Sequence, residues 1–194
     1  KEARRIEATL AARPGVRLDT REGGEATVAA VKAALGQDDM GRVYDIFHYA
    51  GHAFFDPADR ARSGLILAGE DTLHGTDIAD MAQVPGFVFL NACESLRVRK
   101  RAASEAGPPT AQDFAERNTG LAEAFLLAGV RHIVGTFWPV NDDTAVNFSS
   151  VFYEQVQTQT IGTALTEARR IIHEVHDSSE WVNYIHYGAA NDPI

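Results

Sequence analysis

Two residues of this sequence have the chemistry of a nucleophile and its base. Cys93 is the only cysteine of the 194-residue chain, and His52 lies upstream of it. A thiol near its ordinary pKa of about 8.5 is mostly protonated at neutral pH and needs a base to react. An imidazole nearby can serve as that base. The pair therefore predicts nucleophilic catalysis by a Cys/His dyad, with a buried structural cysteine as the alternative.

Each of these residues follows an apolar run that predicts a buried strand. Residues 42–49 lead to His52 through Gly51, and residues 87–90 lead to Cys93. Functional groups of open α/β sheets collect at the carboxyl ends of the strands. We therefore expect the first strand to end before Gly51, with His52 in the turn that follows. The two residues meet if these strands are neighbours in the sheet.

The remaining hydrophobic pattern alternates between strands and helices. Further strands are predicted at 16–18, 65–67, 132–136 and 181–187, and helices at 1–12, 25–35, 76–81, 120–128, 142–156 and 163–175. Such alternation is typical of an α/β sandwich with a mainly parallel sheet. We expect one domain over residues 1–194, cut from a longer protein because the chain opens inside a helical pattern without Met.

The composition disfavours several classes of protein. A net charge of −9 and a pI near 5.2 argue against nucleic acid as a direct partner. No apolar run approaches the roughly 20 residues that cross a bilayer, and no segment resembles a signal peptide. A single cysteine allows no internal disulfide, which fits a reducing compartment. We therefore expect a cytoplasmic protein that binds neither nucleic acid nor membrane.

His48 is the competing histidine. It stands four residues before His52, which is the spacing of two zinc ligands on a metalloprotease helix. However, Tyr49 occupies the place of the glutamate in that motif, and the local sequence is strand-like. We therefore expect no metal, and we predict that His48 forms hydrogen bonds in the core or supports the site. A nucleotide-binding flavodoxin-like domain is disfavoured because no Gly-x-Gly-x-x-Gly loop follows an early strand, so no cofactor is expected.

Five segments resemble, in order, the CHAT family of caspase-like peptidase domains. They are His-Tyr-Ala-Gly-His at 48–52, Leu-Asn-Ala-Cys-Glu-Ser at 90–95, and residues 120–129, 134–142 and 181–188. This family is related to caspases, gingipains and separase, and its members are often fused to tetratricopeptide or other helical repeats. The resemblance implies a caspase-like three-layer α/β/α sandwich and an upstream repeat or regulatory domain.

The same resemblance implies a cysteine endopeptidase. His52 is then the general base, Cys93 attacks the peptide carbonyl, and the backbone N–H groups of Ala53 and Cys93 form the oxyanion hole. The family usually has Gly at the position of Ala53, so a positive φ there would be harder to adopt in this chain. The rival hypothesis is a caspase-fold interaction module without turnover.

Acidic residues near the expected site bear on specificity. Asp142 and Asp143 open a predicted helix, where carboxylates also serve as caps and dipole partners. The Trp138-x-Val-x-Asp142 string resembles a segment that contributes to the S1 pocket of separase-like peptidases. This resemblance favours Arg or Lys at P1, bound by a charge-assisted hydrogen bond. Glu94, beside the expected nucleophile, is a second acidic candidate.

Residues 96–119 have the composition of a long, mobile loop that is basic at its start and contains proline. If the S1 pocket is acidic, the loop holds a predicted self-cleavage site formed by Arg97, Arg99, Lys100 and Arg101. The family resemblance also implies a specific protein substrate, such as a gasdermin-like pore former, in prokaryotic defence or regulated cell death. A partner or an upstream domain would then control the activity.

Overall fold

A computed structural model describes residues 1–11, 13–36, 41, 43–54, 56, 59, 62–94, 120–136, 139–175 and 179–194, without the side chains of residues 93 and 94. Its strands are β1 (Ile46–Phe54), β2 (Gly64–Ile66), β3 (Thr72–His74), β4 (Phe87–Glu94), β5 (His132–Thr136) and β6 (Tyr184–Tyr187). They form one sheet in the order β3-β2-β1-β4-β5-β6.

The centre of this sheet is parallel. β4 pairs in parallel with β1 on one side and with β5 on the other. β2 and β6 run antiparallel to β1 and β5, and β3 runs antiparallel to β2. Four of the six strands in the described residues therefore point the same way, as the expected mainly parallel sheet requires. The carboxyl ends of β1 and β4 lie side by side.

Helices cover both faces of the sheet. The α-helices are α1 (Glu2–Leu10), α2 (Val28–Gly36), α3 (Gly75–Ala79), α4 (120–127), α5 (Asp142–Gln155) and α6 (Ile161–Glu174), and short 3-10 turns occur at Gly23–Glu25, Ala68–Glu70 and Ser179–Asn183. Of these described helices, none has the length and hydrophobicity needed to cross a membrane. The helices α2, α3 and α4 pack on one face, and α1, α5 and α6 pack on the other.

Two hydrophobic cores follow from this arrangement. One core joins alternate residues of β1 and β4, such as Tyr49 and Leu90, to Leu35 of α2 and Phe125 of α4. The other core joins Phe89 of β4 to the aromatic residues of α5 and to α6. Because β4 is covered on both faces, its first residues form a continuous apolar run, as buried parallel strands do. The expected three-layer α/β/α sandwich is confirmed.

Three of the predicted strand assignments need correction. The strand predicted at 181–187 begins only at Tyr184, because Ser179–Asn183 form a 3-10 turn. Residues 16–18 form no strand, and Val16 and Leu18 are exposed because the segment has no neighbouring strand with which to pair. The first strong strand does not end before Gly51 but continues to Phe54, because residues 52–54 pair with β2. His52 therefore lies within β1 and not in a turn after it.

The last residues of the chain close the fold over the start of α6. The backbone N–H of Ile161 donates to the carbonyl of Asp192 at 3.0 Å, and that of Gly162 donates to the carbonyl of Ala190 at 2.8 Å. The first N–H groups of a helix have no partner within the helix. Residues 190–192 therefore supply part of the N-terminal cap of α6, together with the Thr160 hydroxyl.

Candidate active site

His52 and Cys93 are register partners on neighbouring parallel strands. The sheet register sets His52 of β1 opposite Cys93 of β4, and Ala53 opposite Glu94. Neighbouring strands of a sheet lie about 4.8 Å apart, so the backbones of the two residues are adjacent. His52 is exposed, whereas Ala53 is fully buried. The fold thus brings the two predicted catalytic positions together near the carboxyl ends of the two central strands.

The backbone of His52 is held from the opposite face of the sheet. The Tyr49 hydroxyl lies 2.8 Å from the carbonyl oxygen of His52 and 2.6 Å from that of Ile66 on β2, within donating distance of both. The Tyr49 side chain packs against the α-carbon of Gly51. A Cβ added to this glycine would come 2.6 Å from the Tyr49 hydroxyl oxygen. Burial raises the pKa of Tyr49, so its hydroxyl stays protonated as a donor. Gly51 therefore makes room for the tyrosine and does not form a turn.

Ala53 occupies the place where the CHAT resemblance suggests glycine. It lies inside β1, between Leu65 of β2 and Glu94 of β4, in extended backbone. Among the described residues other than glycine, positive φ occurs only at Glu70. The alanine is therefore unstrained here. Its role in an oxyanion hole remains a prediction.

The two aspartates stand in the first turn of α5 and are exposed. Asn141 caps this helix, because its Oδ1 accepts the N–H of Thr144 at 2.8 Å. Asp143 Oδ1 pairs with Lys1 Nζ at 2.5 Å, and the Asp143 side chain remains 76% exposed. The hydrogen bond to Lys1 and its charge lower the pKa of Asp143. The carboxylate is therefore ionised at neutral pH and accessible to a cationic side chain.

The start of α5 lies over β4 just before Cys93. The Nδ2 group of Asn91, two residues before Cys93, donates to the carbonyl of Ala145 at 3.4 Å. Ala145 is the fourth residue of the helix that Asp142 and Asp143 open. The predicted substrate-binding aspartates thus belong to a helix whose N-terminal part contacts the strand of the predicted nucleophile.

Several predicted site residues fall outside the described part of the chain. They are Trp138, Arg97, Arg99, Lys100, Arg101, the whole 96–119 segment, and the side chains of Cys93 and Glu94. The predicted roles of these residues in nucleophilic attack, substrate binding and self-cleavage therefore remain predictions. Within the described ranges, no group of three or more His, Cys, Asp or Glu side chains is arranged to hold a metal ion.

A buried polar cluster beneath the two predicted catalytic positions was not anticipated in full. It joins Glu2 of α1 to His48 of β1 and Asn91 of β4. The sequence pattern predicted hydrogen bonding for His48 but gave Glu2 and Asn91 no role. Glu2 stands among other charged residues of an amphipathic helix, and its partner on β4 is far away in sequence. Only the polar Asn91 within an apolar strand could have served as a signal.

Comparison with known proteins gives the family. The CHAT domain model matches residues 1–189. The chain belongs to the CHAT domain family. No curated protein matches the chain. The family resemblance drawn from the five sequence segments is thus confirmed.

A solved structure supports the caspase-like fold of this CHAT domain. Separase in the crystal structure of the Saccharomyces cerevisiae separase–securin complex is similar, with a TM-score of 0.54 and 18% sequence identity. The match covers 97% of this chain but 11% of that chain. At this identity the likeness establishes the shared fold. The CHAT chain therefore has the fold of a caspase-like α/β/α sandwich.

Proposed function

We propose that this CHAT domain is a cysteine endopeptidase that uses Cys93 as the nucleophile and His52 as the base. The observation that carries the proposal is the register of the sheet, which sets these two residues opposite each other on parallel strands. Family membership adds support, because the CHAT match spans both positions. The exposure of His52 leaves the imidazole accessible to a substrate.

The proposed reaction has two steps. The Cys93 thiol transfers its proton to His52, and the thiolate attacks the peptide carbonyl. The backbone N–H groups of Ala53 and Cys93 are proposed to hold the oxyanion. The imidazolium of His52 then protonates the departing amine, which leaves a thioester on Cys93. Water, deprotonated by His52, hydrolyses this thioester and restores the thiol.

We further propose a preference for Arg or Lys at P1. The ionised Asp143 already pairs with the ammonium group of Lys1. A P1 Lys or Arg would bring a cation of the same kind to this exposed carboxylate. Asp142 precedes it in the same helical turn, and Glu94 and Trp138 complete the proposed set. The basic run at residues 97–101 fits the same preference and is proposed as a site of self-cleavage.

A protein partner is proposed to control the activity. The separase neighbour was crystallised with securin, which is another protein. By analogy, we propose an upstream repeat domain or a separate partner as the regulator of this chain. The proposed substrate is one specific protein in the cytoplasm, such as a gasdermin-like pore former acting in bacterial defence.

The proposal is tested with peptidyl electrophiles that carry Arg, Leu or Asp at P1. Wild type, Cys93→Ala and His52→Ala are incubated with each probe, and intact mass gives the labelled fraction. We expect labelling of wild type that disappears in Cys93→Ala and falls sharply in His52→Ala. His173→Ala is the matched control because His173 is exposed on α6, and it should label like wild type.

Three other labelling results would contradict parts of the proposal. Labelling that persists in Cys93→Ala would contradict the assigned nucleophile. A folded wild type that no probe labels, alone or within the full-length protein, would favour the interaction module without turnover. Faster labelling by the Leu or Asp probe than by the Arg probe would contradict the P1 assignment but leave the dyad in place.

A further inference from the structure

The carboxylate of Glu2 is the least expected group in the interior of this protein. It stands in the first turn of α1, yet its side chain is only 10% exposed. Carboxylates are almost never this buried unless they are paired, because removal from water disfavours their charge. The partners of Glu2 therefore deserve a functional explanation.

One oxygen of this carboxylate bonds both strands of the predicted catalytic pair. Oε1 of Glu2 lies 3.0 Å from Nε2 of His48 on β1. The same Oε1 accepts a hydrogen bond from Nδ2 of Asn91 on β4. A single atom of α1 thus joins two neighbouring strands through their side chains.

Two buried tyrosines orient these partners. The Tyr153 hydroxyl lies 3.1 Å from Nδ1 of His48, and the Tyr184 hydroxyl donates to Oδ1 of Asn91 at 2.9 Å. The contact with Tyr184 fixes the Asn91 amide so that its Nδ2 faces Glu2. The polar ends of His48 and Asn91 are therefore held on both sides, and neither can turn away without losing a bond.

Burial by itself raises the pKa of Glu2, but hydrogen bonds from His48, Asn91 and Ser149, with the charge of His48, hold it below its ordinary value. The group is therefore an anion at neutral pH. Hydrogen bonds to a charged acceptor are shorter and stronger than neutral ones. A charged acceptor shared by two strands restrains their relative position more tightly than an apolar contact would.

The shared acceptor lies close to the predicted dyad along both strands. Asn91 precedes Cys93 by two residues, and His48 precedes His52 by four. Residues separated by an even number along a strand lie on the same face of the sheet, so His48 and His52 share one face. Any shift of β1 against β4 at the level of Glu2 is therefore carried directly to the catalytic positions.

We propose that Glu2 is a positioning residue, which fixes the backbones of His52 and Cys93 relative to each other by binding β1 and β4 through one carboxylate oxygen. The inference rests on the proposed peptidase function and adds to it a role for α1. Of helix α1, only Glu2 then takes part, as the residue that ties the helix to both strands. Its attachment to the sheet sets the rate of the chemical step.

The test compares Glu2→Ala with Glu7→Ala on the same helix. Glu7 accepts a hydrogen bond from the Thr20 hydroxyl. Within the described residues, no side-chain hydrogen bond joins Glu7 to β1 or β4. Labelling rates are measured over a range of probe concentrations to separate the first-order rate from the half-saturating concentration. Thermal unfolding reports the folded fraction at the assay temperature.

We expect Glu2→Ala to lower the first-order rate about 10- to 100-fold, since displacements near 1 Å cost about 100-fold. The half-saturating concentration should stay close to that of wild type, because substrate contacts are unchanged. Glu7→Ala should keep both values. A purely structural role would lower the unfolding temperature and leave the rate of the folded protein intact, and that result would overturn the proposal.

Tyr184→Phe keeps the test decisive if Glu2→Ala does not fold. This change removes only the hydroxyl that holds Asn91. We expect the same selective loss of first-order rate, but smaller. A wild-type rate in folded Tyr184→Phe would then overturn the proposal. Failure of the proposed function has a different signature, because wild type itself would not be labelled at Cys93.

Discussion

The hydroxyl of Tyr49 lies 2.8 Å from the carbonyl oxygen of His52, within donating distance. The two residues belong to the same strand, and the hydroxyl also reaches the carbonyl of Ile66 on the neighbouring strand. Tyr49 thus fixes the backbone of the proposed base on the side of the sheet away from its imidazole. This contact and three other features of the structure lead to specific predictions.

Tyr49→Phe should destabilise the protein by about 1–3 kcal/mol, because it removes a buried donor from the carbonyls of His52 and Ile66. The free energy of unfolding is measured by denaturant titration. Tyr44→Phe is the matched control, since its hydroxyl donates to Asp19 at the exposed surface and should matter less. Equal losses in the two variants would show that the Tyr49 hydroxyl has no special role.

Gly51→Ala should also destabilise the fold. The new Cβ would come 2.6 Å from the Tyr49 hydroxyl oxygen and 2.8 Å from its Cζ, so the ring must move. Overpacking of this kind costs about 1–3 kcal/mol. Gly36→Ala is the control, because a Cβ there meets no described heavy atom within 4 Å, and neither glycine has positive φ. A loss in Gly36→Ala as large as that in Gly51→Ala would refute the steric explanation.

Stability should decrease as the pH is lowered below about 6.5, because of the buried His132 and the half-buried His186. His132 and His186 stack with ring centroids 5.6 Å apart. Burial lowers the pKa of both histidines. The positive charge of Arg131 lowers the pKa of His132 further, and that of Arg169 lowers the pKa of His186 further. The negative charge of Asp192 opposes these shifts in both cases. The unfolded chain then binds protons that the folded chain does not, from an unfolded pKa near 6.5 downward. The folded state therefore loses stability as pH falls through this window.

This pH effect is measured as the free energy of unfolding between about pH 5.5 and 7.5, the range around the ordinary histidine pKa. The change His132→Gln should flatten the slope, because it removes one of the two groups. The change His173→Gln, at an exposed histidine, should leave the slope unchanged. A slope in His132→Gln as steep as in wild type would exclude His132 as the source.

Asp143→Asn should change specificity and leave the fold intact. The Lys1–Asp143 pair is exposed on both sides, and exposed ion pairs add little to stability. Loss of the charge should slow the P1 Arg probe about 10-fold relative to the P1 Leu probe, the size of one charge-assisted hydrogen bond. Asp80→Asn, an exposed change at the end of α3, is the control for net charge. An unchanged probe ratio in Asp143→Asn would remove this residue from the proposed S1 pocket.

The parts of the fold that local patterns determine were predictable. The strand at 132–136 and the helix starting at Asp142 appear where the hydrophobic periodicity places them. The strand that carries Cys93 was also expected, although it continues to Glu94. In each case the run of apolar residues and its bounding turn lie within a few residues of one another, so the signal is contained in the local sequence.

The end of β1 was not predictable, because a glycine in a strand-like sequence can mark either a turn or a close approach of a neighbouring side chain. Gly51 suggested a turn, but it is required by the ring of Tyr49 and lies in extended strand. The strand continues because β2 returns to pair with residues 52–54, a contact set by topology. The bond between Glu2 and Asn91 was equally hidden, since it joins residues 89 positions apart.

The carbonyls that cap α6 have a consequence for where this domain can be trimmed. The family match stops at residue 189, but the N–H groups of Ile161 and Gly162 bond carbonyls of Asp192 and Ala190. A chain shortened to the matched boundary would leave two helix donors uncapped and would also lose Asp192 beside His132. The N-terminal cap of α6 therefore extends beyond the boundary of the family match, and shortened versions of the chain should retain Asp192.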